Sequence, residues 1–197
     1  MKLYKLTDVN GQTYRGTQWG EGVTHVAPGK GKTGLCTDSW IHAYRTPRMA
    51  VFMNPAHARF GSPRLWEAEA YEVGIDDGTK VGCLRLTTVR EIPLPTMTTE
   101  QRVEIAIRAV MSVYDEPLWT QWTAAWLDGT DRTRESAAAY AATDAATYAT
   151  NAAASAAAYA TNAAANAAYA AYAAANVADA TNATLNLGAL MDEVCDR

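Results

Sequence analysis

The sequence predicts an α+β protein: a small mixed β domain, then two short helices and one long alanine-rich helix. Three observations carry this expectation. Runs of alternating residues broken by Gly and Pro fill the chain as far as Ile92. Two segments with apolar residues at helical spacing follow Pro93-Leu94-Pro95. From Ser136 to Leu185, 28 of 50 residues are Ala, the strongest helix former. The expected division is a domain at 1–95, a two-helix connector at 96–130, the long helix at 131–184 and a docking tail at 185–197.

Leu3 to Thr7 reads as the opening strand, with Asn10-Gly11 as its turn. Gly16 to Gly34 holds six glycines, which predicts loops and short strands. Pro47 stands at a plausible first helical position, and the helix it opens is expected to stop at Met53, before Asn54-Pro55. Arg64–Val73 and Lys80–Ile92 read as two strands joined through Asp76-Asp77-Gly78. Thr98 or Thr99 caps a helix that runs to about Tyr114, with Val103, Ile107, Val110 and Met111 on one face. A second helix starts near Pro117 and places Trp119, Trp122 and Trp126 at i, i+3 and i+7, a spacing that predicts core.

The alanine-rich tract repeats an 11-residue unit. Tyr148-Ala-Thr-Asn-Ala-Ala-Ala-Ser recurs as Tyr159-Ala-Thr-Asn-Ala-Ala-Ala-Asn. Eleven residues make three helical turns, so Tyr, Thr and Asn stay on one side and the opposite arc is Ala throughout. The phase holds over some 45 residues without Gly or Pro, which predicts one helix about 70 Å long. Ala142, Ala146, Ala149, Ala153, Ala160, Ala164 and Ala171 mark its smooth face, and a homo-oligomer is expected to form there. Leu185 to Met191 reads as an apolar dock for the far end.

Charge and composition narrow the function. The chain has 197 residues, a formal charge of −4 and a mean hydropathy of −0.20. An acidic balance argues against general nucleic-acid binding. Apolar runs too short for a span argue against a membrane helix. The polar turn by Thr7 argues against a signal peptide, and three cysteines without framework spacing suit a reducing cytoplasm. Residues 1–60 nevertheless carry a local +5, with eight basic side chains against three acids, which would attract a small anion.

Familiar chemical motifs fail in turn. Gly29-Lys-Gly-Lys32-Thr33 lacks the leading Gly of a phosphate loop, since Val26 stands there. Cys36, His25, His42 and His57 lack the paired spacing of a zinc site, so no metal is expected. What remains is Leu35-Cys36-Thr-Asp-Ser-Trp40-Ile-His42-Ala-Tyr44-Arg-Thr-Pro47, then Arg64-Leu-Trp66-Glu67-Ala-Glu69 and Lys80-Val-Gly-Cys83. Over residues 3–95 this resembles an uncharacterised domain family of phage and prophage proteins, departing from it at Ser39, where the family usually has Gly. The Trp stripe followed by Ala-rich helix is similar to other phage proteins.

That resemblance implies a phage-encoded accessory protein in the cytoplasm of an infected bacterium. It would act by binding a host-defence protein or an anionic nucleotide, without a cofactor. Lys32, Trp40, His42, Tyr44 and Arg45 are the candidate ligand residues. The order of elements is also similar to ADP-ribosyltransferase folds. In that alternative His42 or Tyr44 would hold NAD, Lys32 or Arg45 would face its pyrophosphate, and Glu67 or Glu69 would polarise the ribose. A third, structural alternative rests on Thr150 and Thr161, spaced as in alanine-rich helical antifreeze proteins.

Overall fold

The computed structural model describes residues 1–29, 31, 34–133, 136, 167–181 and 185–197, which fall into two compact units, 1–96 and 97–197. In the first unit, β1 (Lys2–Thr7), β6 (Arg64–Asp76), β7 (Val81–Ile92) and β4 (Thr24–Val26) form one antiparallel sheet in that order. β5 (Ile41–Ala43) also pairs with β7, while β2 (Gln12–Thr13) and β3 (Thr17–Gln18) form a separate ribbon. Tyr4 and Tyr44 exchange backbone hydrogen bonds of 2.8 Å in both directions. The path β1–β6–β7–β5 therefore returns to β1, and the sheet closes on itself as a small barrel.

Strand alternation fills its interior. Leu3, Ala43, Ala68, Ala70, Val81, Cys83 and Leu86 pack there with Trp19. β6 follows the curvature through register shifts at Glu67/Ala68 and Val73/Ile75. These bends carry β6 on to Asp76, three residues past the expected end at Val73.

α1 (Pro47–His57) packs against β1 and is longer than expected. Thr46 caps it, its hydroxyl accepting from Met49 N–H at 3.1 Å. Asn54-Pro55 does not stop it: burial of Met49, Ala50, Phe52 and Met53 outweighs the backbone hydrogen bond that Pro55 cannot donate. Asn54 then closes the corner, accepting from Phe60 N–H at 3.0 Å and donating to Phe60 C=O at 2.9 Å.

The second unit is helical among the described residues. α2 (Thr99–Met111) begins with a capping box between Thr98 and Gln101, and ends three residues before the expected Tyr114. α3 (Pro117–Asp128) buries Trp119, Trp122 and Trp126 and stops at Gly129, whose φ of 82° only glycine adopts readily. α4 (Ala167–Thr181) and α5 (Leu187–Cys195) both pack on α2. α4 offers Ala170, Ala171, Ala174 and Ala178, and α5 offers Leu187, Met191 and Val194. Two helices covering α2 explain why Val103, Ile105, Ala106, Ile107, Ala109 and Val110 are all buried. At the far end Glu104 meets Arg108 at 2.7 Å and Arg197 at 2.6 Å.

The tail at 185–197 docks, as its apolar residues led one to expect, and its seat is α2, within the one compact unit 97–197. One expectation changes here. Ala171 is fully buried on a helix that packs on α2, so it is not an outward face. Ala142, Ala146, Ala149, Ala153, Ala160 and Ala164 lie outside the described residues, as does most of the expected 131–184 helix. No helix among the described residues is long and apolar enough to cross a membrane.

Candidate functional site

β5 is three residues long, and its register decides where its side chains go. Ile41 opposes Cys83, His42 opposes Gly82 and Ala43 opposes Val81. Ile41 and Ala43 turn into the barrel, so His42 turns out of it. Around His42 the structure gathers Leu35, Cys36, Trp40, Tyr44, His57 and Lys80, from one loop, one strand end, the end of α1 and the start of β7.

Each group is fixed by a specific partner. The His42 Nε2 is hydrogen-bonded to the Leu35 carbonyl. Burial lowers the proton affinity of His42, and the Lys5 and Lys80 charges add to that. Tyr44 is buried, its hydroxyl 3.3 Å from His57 Nδ1 and its ring stacked on the imidazole at 5.9 Å. Burial pulls the His57 pKa down to about 4, again helped by Lys80, and raises that of the Tyr44 phenol. Trp40 lies across the backbone of Gly74 and Gly82. Arg45, at the exposed rim, is paired with Asp76.

Lys80 supplies the charge. It is only 8% exposed, and its ammonium donates to Cys36 Sγ at 3.1 Å. The turn before it is fixed by Asp77, whose Oδ1 accepts from Thr79 N–H, Thr79 Oγ1–H and Lys80 N–H at 2.8 to 2.9 Å. Lys5 is a second buried ammonium, on the barrel side of the same wall. Its Nζ donates to the His42 carbonyl at 2.7 Å and lies 5.0 Å from the Trp19 ring centroid. No carboxylate is hydrogen-bonded to either lysine among the described residues.

Of the residues expected from sequence, Trp40, His42, Tyr44 and Arg45 share this corner, whereas Lys32 lies outside the described residues. Glu67 and Glu69 are elsewhere. Glu69 opposes Thr87 on β7 and His42 opposes Gly82, so five residues of that strand, ~17 Å, separate them. Glu67 is bound to Lys2 at 3.0 Å and Arg90 at 2.9 Å, and these partners hold its carboxyl below the usual range. Glu69 accepts from the Tyr71 hydroxyl at 2.9 Å. The acid and the aromatic-imidazole group of the NAD alternative do not converge.

Lys5, Lys80, Cys36 and His57 were not singled out from sequence as members of one site. A signal existed for Lys5, since it shares the inward alternation of Leu3 and Thr7. None existed for Cys36 beside Lys80, 44 positions apart. A separate surface hollow of about 210 Å³, lined by Val26, Ala27, Glu72, Leu84 and Arg85, shares no residue with this corner. Among the described residues no group of three His, Cys, Asp or Glu is placed to hold a metal ion.

The molecule is thus an α+β protein with a closed β barrel, carrying beside it a corner of neutral imidazoles and buried ammonium groups. No family model, curated protein or solved structure matches the chain.

Proposed function

We propose that the protein works by binding, and that its N-terminal unit receives a small phosphate-bearing ligand of the nucleotide kind at Lys80. The observation that supports this is a lysine 8% exposed whose described partner is a thiol rather than a carboxylate. A buried ammonium without a counter-charge is costly, and an anion set against it removes that cost. His42 and His57, held neutral, contribute polar ring atoms without competing for protons. The separation of Glu69 from His42 argues for binding over ADP-ribosyl transfer. The resemblance of residues 3–95 to phage and prophage domains supplies the setting: an accessory protein in the cytoplasm of an infected bacterium, directed at a host-defence protein or its nucleotide signal. Self-association through the alanine face at 142–164 belongs to the same proposal.

Calorimetric titration with mono-, di- and cyclic dinucleotides tests it. One class is expected to bind, and Lys80→Met to weaken that binding at least about tenfold, since a hydrogen bond to a charged group contributes ~1.5–3 kcal/mol. Absence of heat across the whole panel, or equal affinity of wild type and Lys80→Met, would overturn the reading.

A further inference from the structure

The contact between Cys36 and Lys80 points to a modification chemistry that is independent of what the corner binds. Three features of this pair distinguish it from the rest of the molecule. The nucleophilic nitrogen and the sulfur are already 3.1 Å apart. Cys36 is exposed, so a solute reaches the sulfur, while Lys80 is more than nine-tenths buried and is held against it. The Asp77 turn, with three hydrogen bonds into one carboxylate oxygen, fixes the backbone from which Lys80 extends. The other two cysteines lack this arrangement. Cys83 is fully buried, its thiol pKa pushed up to about 11 by burial, and it donates to the Ile41 carbonyl. Cys195 belongs to the second unit.

We propose that Cys36 and Lys80 form a peroxide-responsive site that closes into a covalent sulfur–nitrogen link. In the first step the Cys36 sulfur, as thiolate, attacks one oxygen of hydrogen peroxide. The O–O bond breaks, the departing hydroxide takes up the proton that the thiol lost and leaves as water, and sulfur is oxidised to the sulfenic acid. In the second step the Lys80 amine, having released its ammonium proton to solvent, attacks that sulfur. The S–N bond forms and the S–O bond breaks. Hydroxide leaves with the proton shed by nitrogen, as a second water. One peroxide is reduced, one thiol is oxidised by two electrons, and the protein loses two hydrogens. A reducing thiol reverses the link by attacking sulfur and expelling the amine.

Proximity favours this outcome over further oxidation. A sulfenic acid exposed to solvent otherwise proceeds to the sulfinic acid, whereas a tethered amine in contact captures it first. The experiment is mild hydrogen peroxide treatment of the full-length chain, followed by intact mass and peptide mapping under non-reducing conditions. Wild type is expected to lose about 2 Da and to yield a peptide pair joining Cys36 to Lys80, both reversed by dithiothreitol. Cys36→Ser is expected to show neither change, and Lys80→Met to gain about 16 or 32 Da at Cys36 instead. The wild-type peptide map decides even where a variant fails to fold. Oxygen added to wild-type Cys36 without the link, a disulfide-joined dimer through Cys36, or no reaction at all would each overturn the proposal.

Discussion

Lys5 occupies the middle of β1 between Leu3 and Thr7, and all three side chains point into the barrel. Burial among Trp19, Trp66 and Cys83 lowers its pKa from 10.5 to about 8. The unfolded chain therefore binds more protons than the folded one between about pH 8 and 10.5, and stability rises with pH across that window. The gap corresponds to about 3 kcal/mol, fully present as a penalty below pH 8. Lys5→Met removes the titrating group and keeps the volume, so urea unfolding should find it more stable than wild type at pH 7. The advantage should shrink by pH 10. The Cys83 thiol works in the opposite sense above pH 9, and comparing the two chains at each pH cancels most of it. A constant difference between them from pH 7 to 10 would refute the argument. At this scale the sequence was half legible: the alternation placed Lys5 inward, but nothing local told that His42 C=O would receive it. The same holds for His42 and Tyr44, whose aromatic and polar types drew attention correctly, while Lys80 and Cys36 met only through the barrel's closure.

At the scale of elements, β6 and β7 are shaped to receive Trp40. The two strands present Gly74 and Gly82 to the indole; a Cβ on Gly74 would lie 2.2 Å from Trp40 Cη2, and one on Gly82 would lie 2.7 Å from Leu35 Cδ1. Removing glycine from a strand interior ordinarily stabilises by ~0.5–1 kcal/mol, because the unfolded chain loses freedom. Here the steric term should win. Gly74→Ala is expected to destabilise the first unit by about 1–3 kcal/mol, the usual cost of overpacking, with Trp40 displaced from the strand. A rise in stability on urea titration would show that the indole does not need bare backbone. Strands were legible from alternation and helices from spacing, since both signals are local. The ends were not. α1 ran on through Pro55 because its buried face outweighed one lost hydrogen bond, and β6 ran past Val73 because its bends kept it paired with β7. The placement of Ala171 was missed for a related reason. A smooth alanine face reads the same whether it meets another chain or α2, and only the packing of α4 distinguishes the two.

The whole molecule divides its charge along its fold. Residues 1–96 hold 12 basic and nine acidic side chains, and residues 97–197 hold five and 12, so units of net +3 and −7 share one chain. The positive unit is the one with the buried ammonium groups, which suits an anionic ligand. The negative unit carries the alanine tract, where α4 shows how such a surface is used: Ala170, Ala171, Ala174 and Ala178 are buried on a helix that packs on α2. α2 has 13 residues and the tract some 45, so α2 is too short to cover a single helix of that length. Each buried alanine contributes little at ~25 cal/mol per Å², yet a stripe in constant phase sums over many turns. Small residues also let two helix backbones approach closely. The expected outcome is self-association through positions 142–164, as a dimer or larger bundle by light scattering. Glutamate at Ala153 or Ala164 places a charge against that stripe and should dissociate it, while circular dichroism keeps the helical signal because glutamate is itself a good helix former. A monomeric wild type, or variants that keep the wild-type mass, would mean that the stripe is covered within the chain, as Ala171 is.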